Sequence, residues 1–318
     1  MTASMPMTLD LQDLIAWPQQ WLFEQWIQPL MFALGWGQGI DAAFDATEWL
    51  VWGVYELIFM VLVLGWIERR WPAETVTDRP AIRVDMLFTL LHRLGLFPLI
   101  AFAVLVPLMD RLEASLRWWG FSRPNIDQWL SIESLPWLSW VLYLIIFDAL
   151  DYWIHRFQHR WSWWWTLHAV HHSQRQMTYW SDQRNHLFDD FLRDGLLACA
   201  ALLLGAAPGQ FVAFVVVSRV VQSYQHANTS LRGPAWFQRV LVSPQFHRVH
   251  HAMGVGHQGK AMGCNFAVLF PCWDMLFGTA NFDARYHPTG IADQLEGRQY
   301  GDGFWSLHWR AIQRWVGS

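Results

Sequence analysis

His155 and His159 stand four residues apart; His168, His171 and His172 form H-x-x-H-H, and His247, His250 and His251 repeat it. On a helix, residues three and four apart share a face, so each cluster aims at least two imidazoles at one point. The adjacent pair in each H-x-x-H-H points in directions ~100° apart, enough to reach two neighbouring ions. Imidazole suits iron, zinc, copper and nickel, whereas magnesium and calcium want oxygen ligands. Eight clustered histidines exceed the roughly four to six ligands that one ion takes, so the pattern predicts two metals. A zinc protease would need H-E-x-x-H to supply its general base, and that motif does not occur.

These clusters sit in an apolar chain. It is 53% hydrophobic and only 15% charged, well below the roughly 25% charged residues of soluble domains. Trp (24) outnumbers Phe (21), as befits a chain with rings at two membrane interfaces. A net charge of −4 and the lack of a basic run exclude a nucleic-acid surface. Cys199, Cys264 and Cys272 fit neither a disulfide framework nor a metal knuckle and read as buried free thiols.

The stretches Trp49–Ile67, Met86–Met109 and Leu135–Trp153 are each near the ~20 apolar residues a span requires. Glu56 is the only charge in the first, and the second is interrupted by His92 and Arg93. Gly195–Ser218 reads as two short legs around a Gly-Ala-Ala-Pro-Gly turn, each ~20 Å long, so this hairpin is expected to dip into the bilayer rather than cross it. Trp17–Trp36 reads as a membrane segment or an amphipathic helix along the interface. No Lys or Arg precedes Arg69, and Arg69, Arg70, Arg79 and Arg83 then follow the first span. Basic loops stay in the cytoplasm, so the N-terminus is expected outside, and the Arg69–Arg83 loop and all three clusters inside. The expected fold is all-α: a polytopic helical membrane protein with a cytoplasmic, histidine-rich helical cap holding a di-metal site. Its expected divisions are an interfacial or membrane segment over 1–46, a membrane-embedded domain over 47–280 and a cytoplasmic tail over 281–318.

"HRFQH", "HAVHH" and "HRVHH" resemble the three histidine boxes of the fatty acid hydroxylase (sterol desaturase) superfamily of membrane di-iron enzymes. The resemblance runs from about Glu68 to Thr279 and includes the D-x-x-x-H-R entry at Asp151–Arg156 and the closing "NFAVLFPCWDMLFGT", Asn265–Thr279. It implies two accessory ligands, His186 in "RNHLFDD" and His226 in "QHAN", which brings the metal set to ten. Leu187 stands where the pattern has proline, and the Asp189–Asp190 pair also departs from it. The implied chemistry is oxygen-dependent hydroxylation of a C–H bond of a membrane lipid by two iron ions, with O2 as co-substrate and the eight box histidines as the catalytic set. Zinc can replace the iron in vitro. With no flavin, nicotinamide, haem or iron–sulfur motif in the chain, electrons are expected from a separate ferredoxin- or cytochrome-type donor with its reductase. The expected location is a bacterial inner membrane. Alternatives are a lipid or sterol desaturase or sterol-type oxidase of the same superfamily and, more distantly, a histidine-rich metal-binding transporter. A transporter would show polar residues within several spans and repeated halves, and neither is visible.

Other residues have local readings. Asp151, four before His155, could accept that imidazole's second N–H or face lipid head groups at the helix end. Asn265 and Asp274 are candidate supports for the ligands, and Arg156, Arg160, Arg175, Arg184 and Arg248 are candidate partners of acids or anionic head groups. His92 reads as a buried structural histidine that could also line a substrate path. His257, His287 and His308 carry no spacing signal.

Overall fold

A computed structural model describes residues 13–124, 126–254 and 263–317; His257 lies outside them. The described residues are helical, without strands beyond one isolated bridge between Ala252 and Thr289. In chain order we use α1 (Asp13–Leu22), α2 (Gly37–Arg70), α3 (Arg79–Arg93), α4 (Leu96–Trp118), α5 (Pro136–Arg160), α6 (Ser162–His172), α7 (Leu187–Leu204), α8 (Pro208–His226), α9 (Pro244–His250) and α10 (Phe304–Val316).

Two of these, α2 and α5, are long and apolar enough to cross a membrane. The chain is an integral membrane protein. α1 and the helical turns after it run antiparallel along α2, with Tyr55 donating to the Leu14 carbonyl (2.7 Å) and Phe23 edge-on to Phe44 (5.1 Å). Trp17, Trp21 and Trp26 on the other face are exposed. The segment lies along a span, so of its two readings the membrane segment describes it better than the flat interfacial helix.

The expected single span over Met86–Met109 is instead two helices, α3 and α4, meeting at a 51° bend. Gly95, at φ +83°, makes the corner. Arg93 supplies the cause. Its side chain is 1% exposed and donates to Glu56 of α2 (2.5 Å), Asp182 (2.7 Å), Ser223 (2.8 Å) and the Arg219 carbonyl (3.1 Å). A buried guanidinium is tolerable only when paired and hydrogen-bonded in this way. Gly53 lets α2 come close enough, because a Cβ there would stand 1.6 Å from the Arg93 carbonyl oxygen. The lone charge of the first span is thus a tie to the interrupted second one.

The hairpin of α7 and α8 is longer than its apolar stretch suggests. Its legs of 18 and 19 residues are each ~27–29 Å long. Its turn reaches the far end of α5: a Cβ on Gly205 would stand 1.9 Å from the Pro124 carbonyl oxygen, and Gln210 donates to Ser139 (2.5 Å). It does not stop partway, as a shallow dip would. The apolar count missed it because Asp189, Asp190, Arg193 and Asp194 occupy the first two turns of α7. Phe147 of α5 packs tilted against Phe214 (5.2 Å) and edge-on to Phe211 (5.5 Å) of α8, holding hairpin and span together.

At the other end the helices widen into a cap. Trp161 turns extended (φ −92°, ψ 119°) and redirects the chain from α5 into α6. The 69–83 loop packs on this cap. Glu68 accepts from the backbone N–H groups of Tyr179 and Asn228 (2.8 and 2.7 Å), Gln176 accepts from those of Thr77 and Asp78 (both 2.8 Å), and Arg248 pairs with Glu74 (2.8 Å). Loop and histidine boxes therefore lie on one side of the spans. The residues after 281 also pack there, with Phe304 and Leu307 of α10 buried against Phe88 and Val170. Among the cysteines, Cys264 is buried and Cys199 half-buried, but Cys272 is exposed, at the start of a short helix whose buried face is set by Asp274.

If basic loops face the cytoplasm, a cysteine placed at exposed Arg175 is expected to resist a membrane-impermeant maleimide in intact cells, whereas one at exposed Ser122 reacts. Both are tested without Cys272. The opposite pattern would reverse the orientation.

Candidate metal centre

The boxes converge from three elements. His155 and His159 end α5, His168, His171 and His172 end α6, and α9 carries His247 and His250, with His251 at its C-terminus. α9 starts where the Ser243 hydroxyl accepts from the Phe246 N–H (3.2 Å) and Pro244 takes the first helical position, which fixes the phase of the box that follows.

Two groups of imidazoles result. His155, His159, His168, His172 and His250 each offer a nitrogen within 4.8 Å of the others, and so do His171, His226, His247 and His251. The adjacent histidines of each H-x-x-H-H separate: His172 and His250 join the first group, His171 and His251 the second. Histidines four apart stay together, as the ~40° offset of i and i+4 requires. The groups are neighbours, with His172 stacked on His251 at 4.3 Å and His168 and His171 rings 5.4 Å apart.

His186 joins neither group. It precedes α7, its Nδ1 accepts from the Phe188 N–H (3.2 Å), and its ring packs on His308 at 4.7 Å. His308 in turn accepts from the Leu187 N–H (3.2 Å). Nine of the ten expected ligands converge.

The proton of several rings is held away from the centre. Nδ1 of His155 donates to the Phe266 carbonyl, that of His250 to the Cys264 carbonyl and that of His226 to the Gln222 carbonyl, all at 2.8 Å. Nδ1 of His168 faces Asp189 at 3.0 Å. This leaves each Nε2 lone pair directed inward, the tautomer a metal ligand needs.

In the second group the Nε2 atoms stand close: His226 to His171 at 3.2 Å, His247 to His226 at 3.1 Å and His251 to His247 at 3.1 Å. Nδ1 of His171, His247 and His251 is buried without a hydrogen-bond partner. Opposed lone pairs at this distance need a cation or proton between them. Nitrogens ~2.0–2.1 Å from a single ion stand ~2.9–3.4 Å apart between octahedral and tetrahedral angles, so the spacing fits a metal. Burial, and then the neighbouring imidazoles, hold His171, His247 and His251 well below the usual range, so they are neutral at pH 7. The donor set fits an imidazole-loving ion and does not distinguish iron from zinc.

Three residues organise the centre from behind. Asp189 accepts from Gln158 (2.8 Å), Trp164 (2.6 Å) and His168, locking α5, α6 and α7 together. Asp148 accepts from the Leu269 and Phe270 N–H groups and the Trp273 indole, and Asp274 from the Phe266 and Ala267 N–H groups. These two hold the segment whose carbonyls orient His155 and His250. Asn265, at φ +59°, donates to the Phe246 and Asn281 carbonyls (both 2.8 Å) and ties that segment to α9. Asp151 does not reach His155. Arg193 takes both of its carboxylate oxygens, and the Phe266 carbonyl takes the His155 proton instead. Arg184 pairs with Asp85 (2.7 Å), and His287 stands 3.2 Å from Asp283.

A cavity of about 320 Å³ opens onto His155, His168, His171, His226 and His247 and extends between α4, α7 and α8 to Leu105, Leu197, Phe211 and Phe214. His92, 5% exposed, lines it and meets Asp190 at 3.0 Å.

Residues 140–279 match the family described as fatty acid hydroxylase. The chain is 29% identical over 230 residues to alkylglycerol monooxygenase of Danio rerio, covering 70% of this chain and 45% of that protein. It is 26% identical over 256 residues to an ornithine lipid hydroxylase of Rhizobium tropici (80% of this chain, 74% of that one) and 24% identical over 183 residues to a Delta(7)-sterol 5(6)-desaturase of Gibberella zeae (55% and 52%). The match thus spans about half the length of two of these relatives. No solved structure matches.

Two outcomes are expected. Asp189→Asn should weaken metal retention about 10–100-fold, with metal per chain measured after timed chelation, because His168 loses the acceptor that sets its tautomer. Stability should also fall as pH drops below about 6.5. Buried imidazoles bind fewer protons folded than unfolded there, so stability rises with pH across that window. For His186, pushed down to about 4 by burial and His308, the loss runs from about 6.5 down to about 4. Thermal melts between pH 7.5 and 3.5 read both the sign and the window.

Proposed function

We propose that this chain, a member of the fatty acid hydroxylase superfamily and an oxidoreductase, hydroxylates a C–H bond of a membrane lipid at a di-iron centre held by nine histidines. One observation carries the reading: two adjacent groups of converging imidazoles, all but His159 buried, open onto a cavity whose far end is apolar and lies among the membrane helices. The named activities of the relatives, a lipid monooxygenase and a lipid hydroxylase, support hydroxylation over the desaturation named for the sterol enzyme.

His155, His159, His168, His172 and His250 would hold one ion, and His171, His226, His247 and His251 the other. When bound, the irons supply reductive activation of O2. The balance is R–H + O2 + 2 e⁻ + 2 H⁺ → R–OH + H2O, with electrons from a separate ferredoxin- or cytochrome-type protein. The chain supplies the rest. The Phe266, Cys264 and Gln222 carbonyls and Asp189 hold four ring protons outward, so these ligands need not reorient when an ion arrives. Phe211, Phe214 and Leu197 hold the lipid chain away from water. The active site faces the cytoplasm in this reading, within a bacterial inner membrane.

A fully loaded sample is expected to contain two metals per chain, whether iron or zinc fills the sites, and one per chain would sink the di-metal reading. His171→Ala or His250→Ala should abolish lipid oxidation. His308→Ala should retain most of it, since His308 supports α7 and joins neither group. Membranes supplied with ¹⁸O2 are expected to yield a lipid retaining one labelled atom. Loss of two hydrogens without oxygen gain would move the assignment to a desaturase.

A further inference from the structure

The cavity changes character along its length on α5, α7 and α8, whereas α4 faces it mainly with apolar side chains from Phe97 to Met109. α8 carries Ser218 and Gln222 in the turns below His226 and only then Phe214 and Phe211. α7 opens with Asp190, Arg193 and Asp194 before Leu197, and α5 carries Asp151 one turn below His155 before the buried Phe147. From His226 to Ser218 this polar layer is ~12 Å deep, the length of a small lipid head group rather than of a few methylenes. An acyl chain threaded to the histidines would have to lie in this layer and strip water from its polar groups without replacing the lost hydrogen bonds.

The layer is acidic. Asp151, Asp182, Asp190 and Asp194 line it with Arg193 and Arg219. Adding Glu56 and Arg93, which are wired into it, gives five carboxylates against three guanidiniums. Arg193 is taken up by Asp151, and Asp190 meets His92. Asp182 is 2% exposed; its Oδ2 is held by Arg93 and Ser223, while its Oδ1 has no hydrogen-bond partner. Among the described residues, Asp194, its side chain 43% exposed, is paired only by the 3.5 Å approach of Arg193.

We propose that this layer binds a lipid head group bearing a protonated amine, which donates to Asp182 and Asp194. The head-group end thereby lies beside the histidines, and the tail fills the slot between Leu105, Leu197 and Phe214. The position of the oxidised carbon, in or next to the head group, rests on the hydroxylase reading above; the amine site does not.

The test is binding of radiolabelled dodecylamine, dodecanol and dodecanoate to the full-length protein in nanodiscs of a zwitterionic lipid, corrected for empty nanodiscs. The amine is expected to bind about tenfold tighter than the alcohol, and the carboxylate weakest. Asp194→Asn should cost the amine about tenfold and leave dodecanol within about twofold. Asp182→Asn should do the same where it folds; because it also touches Arg93, Asp194→Asn is the deciding variant. Equal binding of the three amphiphiles, a preference for the carboxylate, or an amine preference unchanged by Asp194→Asn would overturn the proposal. Amine preference in a protein that oxidises no lipid would leave the site standing and remove the hydroxylase. Oxidation far along the tail of uncharged lipids, without amine preference, would do the reverse.

Discussion

An imidazole can offer a lone pair to a cation only if its proton is kept on the other nitrogen. The architecture follows from that requirement. The Phe266 and Cys264 carbonyls hold the protons of His155 and His250, and their own segment is held by Asp148 and Asp274, which gather its backbone N–H groups. The Gln222 carbonyl does the same for His226 within one helical turn, and Asp189 serves His168 across three helices. These four rings are therefore aimed by groups drawn from another part of the chain or, for His226, from its own helix. Burial then holds His171, His247 and His251 well below the usual imidazole range.

A second set of buried charges places the membrane helices relative to this centre. Arg93 ends a helix that would otherwise have run on, and its partners come from α2, the Asp182 turn and α8. Removing Arg93 would leave the buried Asp182 carboxylate without its cation, the costly direction for a buried ion pair. The same network forms one wall of the cavity, so packing of the spans and the polarity of the substrate chamber are not independent.

The parts legible from sequence were those governed by helical periodicity. The split of each H-x-x-H-H between two groups follows from ~100° per residue and needs no long-range information. Composition was enough to recognise α2 and α5 as spans. What stayed hidden depended on contacts between distant residues. Asp151 looked like the partner of His155 because they are four apart, but Arg193, 42 residues later, claims it. Asp189 stood out only as a departure from a familiar pattern, although it joins three helices. The hairpin's true length was masked by four charged residues at its start: Asp190, Arg193 and Asp194 line the cavity, and Asp189 is buried behind His168. His186 was placed by resemblance alone, and its neighbour His308 lies 122 residues away, without any spacing signal.

The division of labour along the chain also constrains biogenesis. Histidines of the first group are contributed from residue 155 to residue 250, and the carbonyl that orients His155 belongs to residue 266. A nascent chain that has delivered α5 and α6 has about ten turns of helix hairpin, and then α9, still to be made. Until the ribosome has passed the closing segment, the early histidines have neither their partners nor their proton acceptors. On the proposed reading metal acquisition is thus a late, essentially post-translational event, because a chain truncated before residue 266 lacks the carbonyl that orients His155.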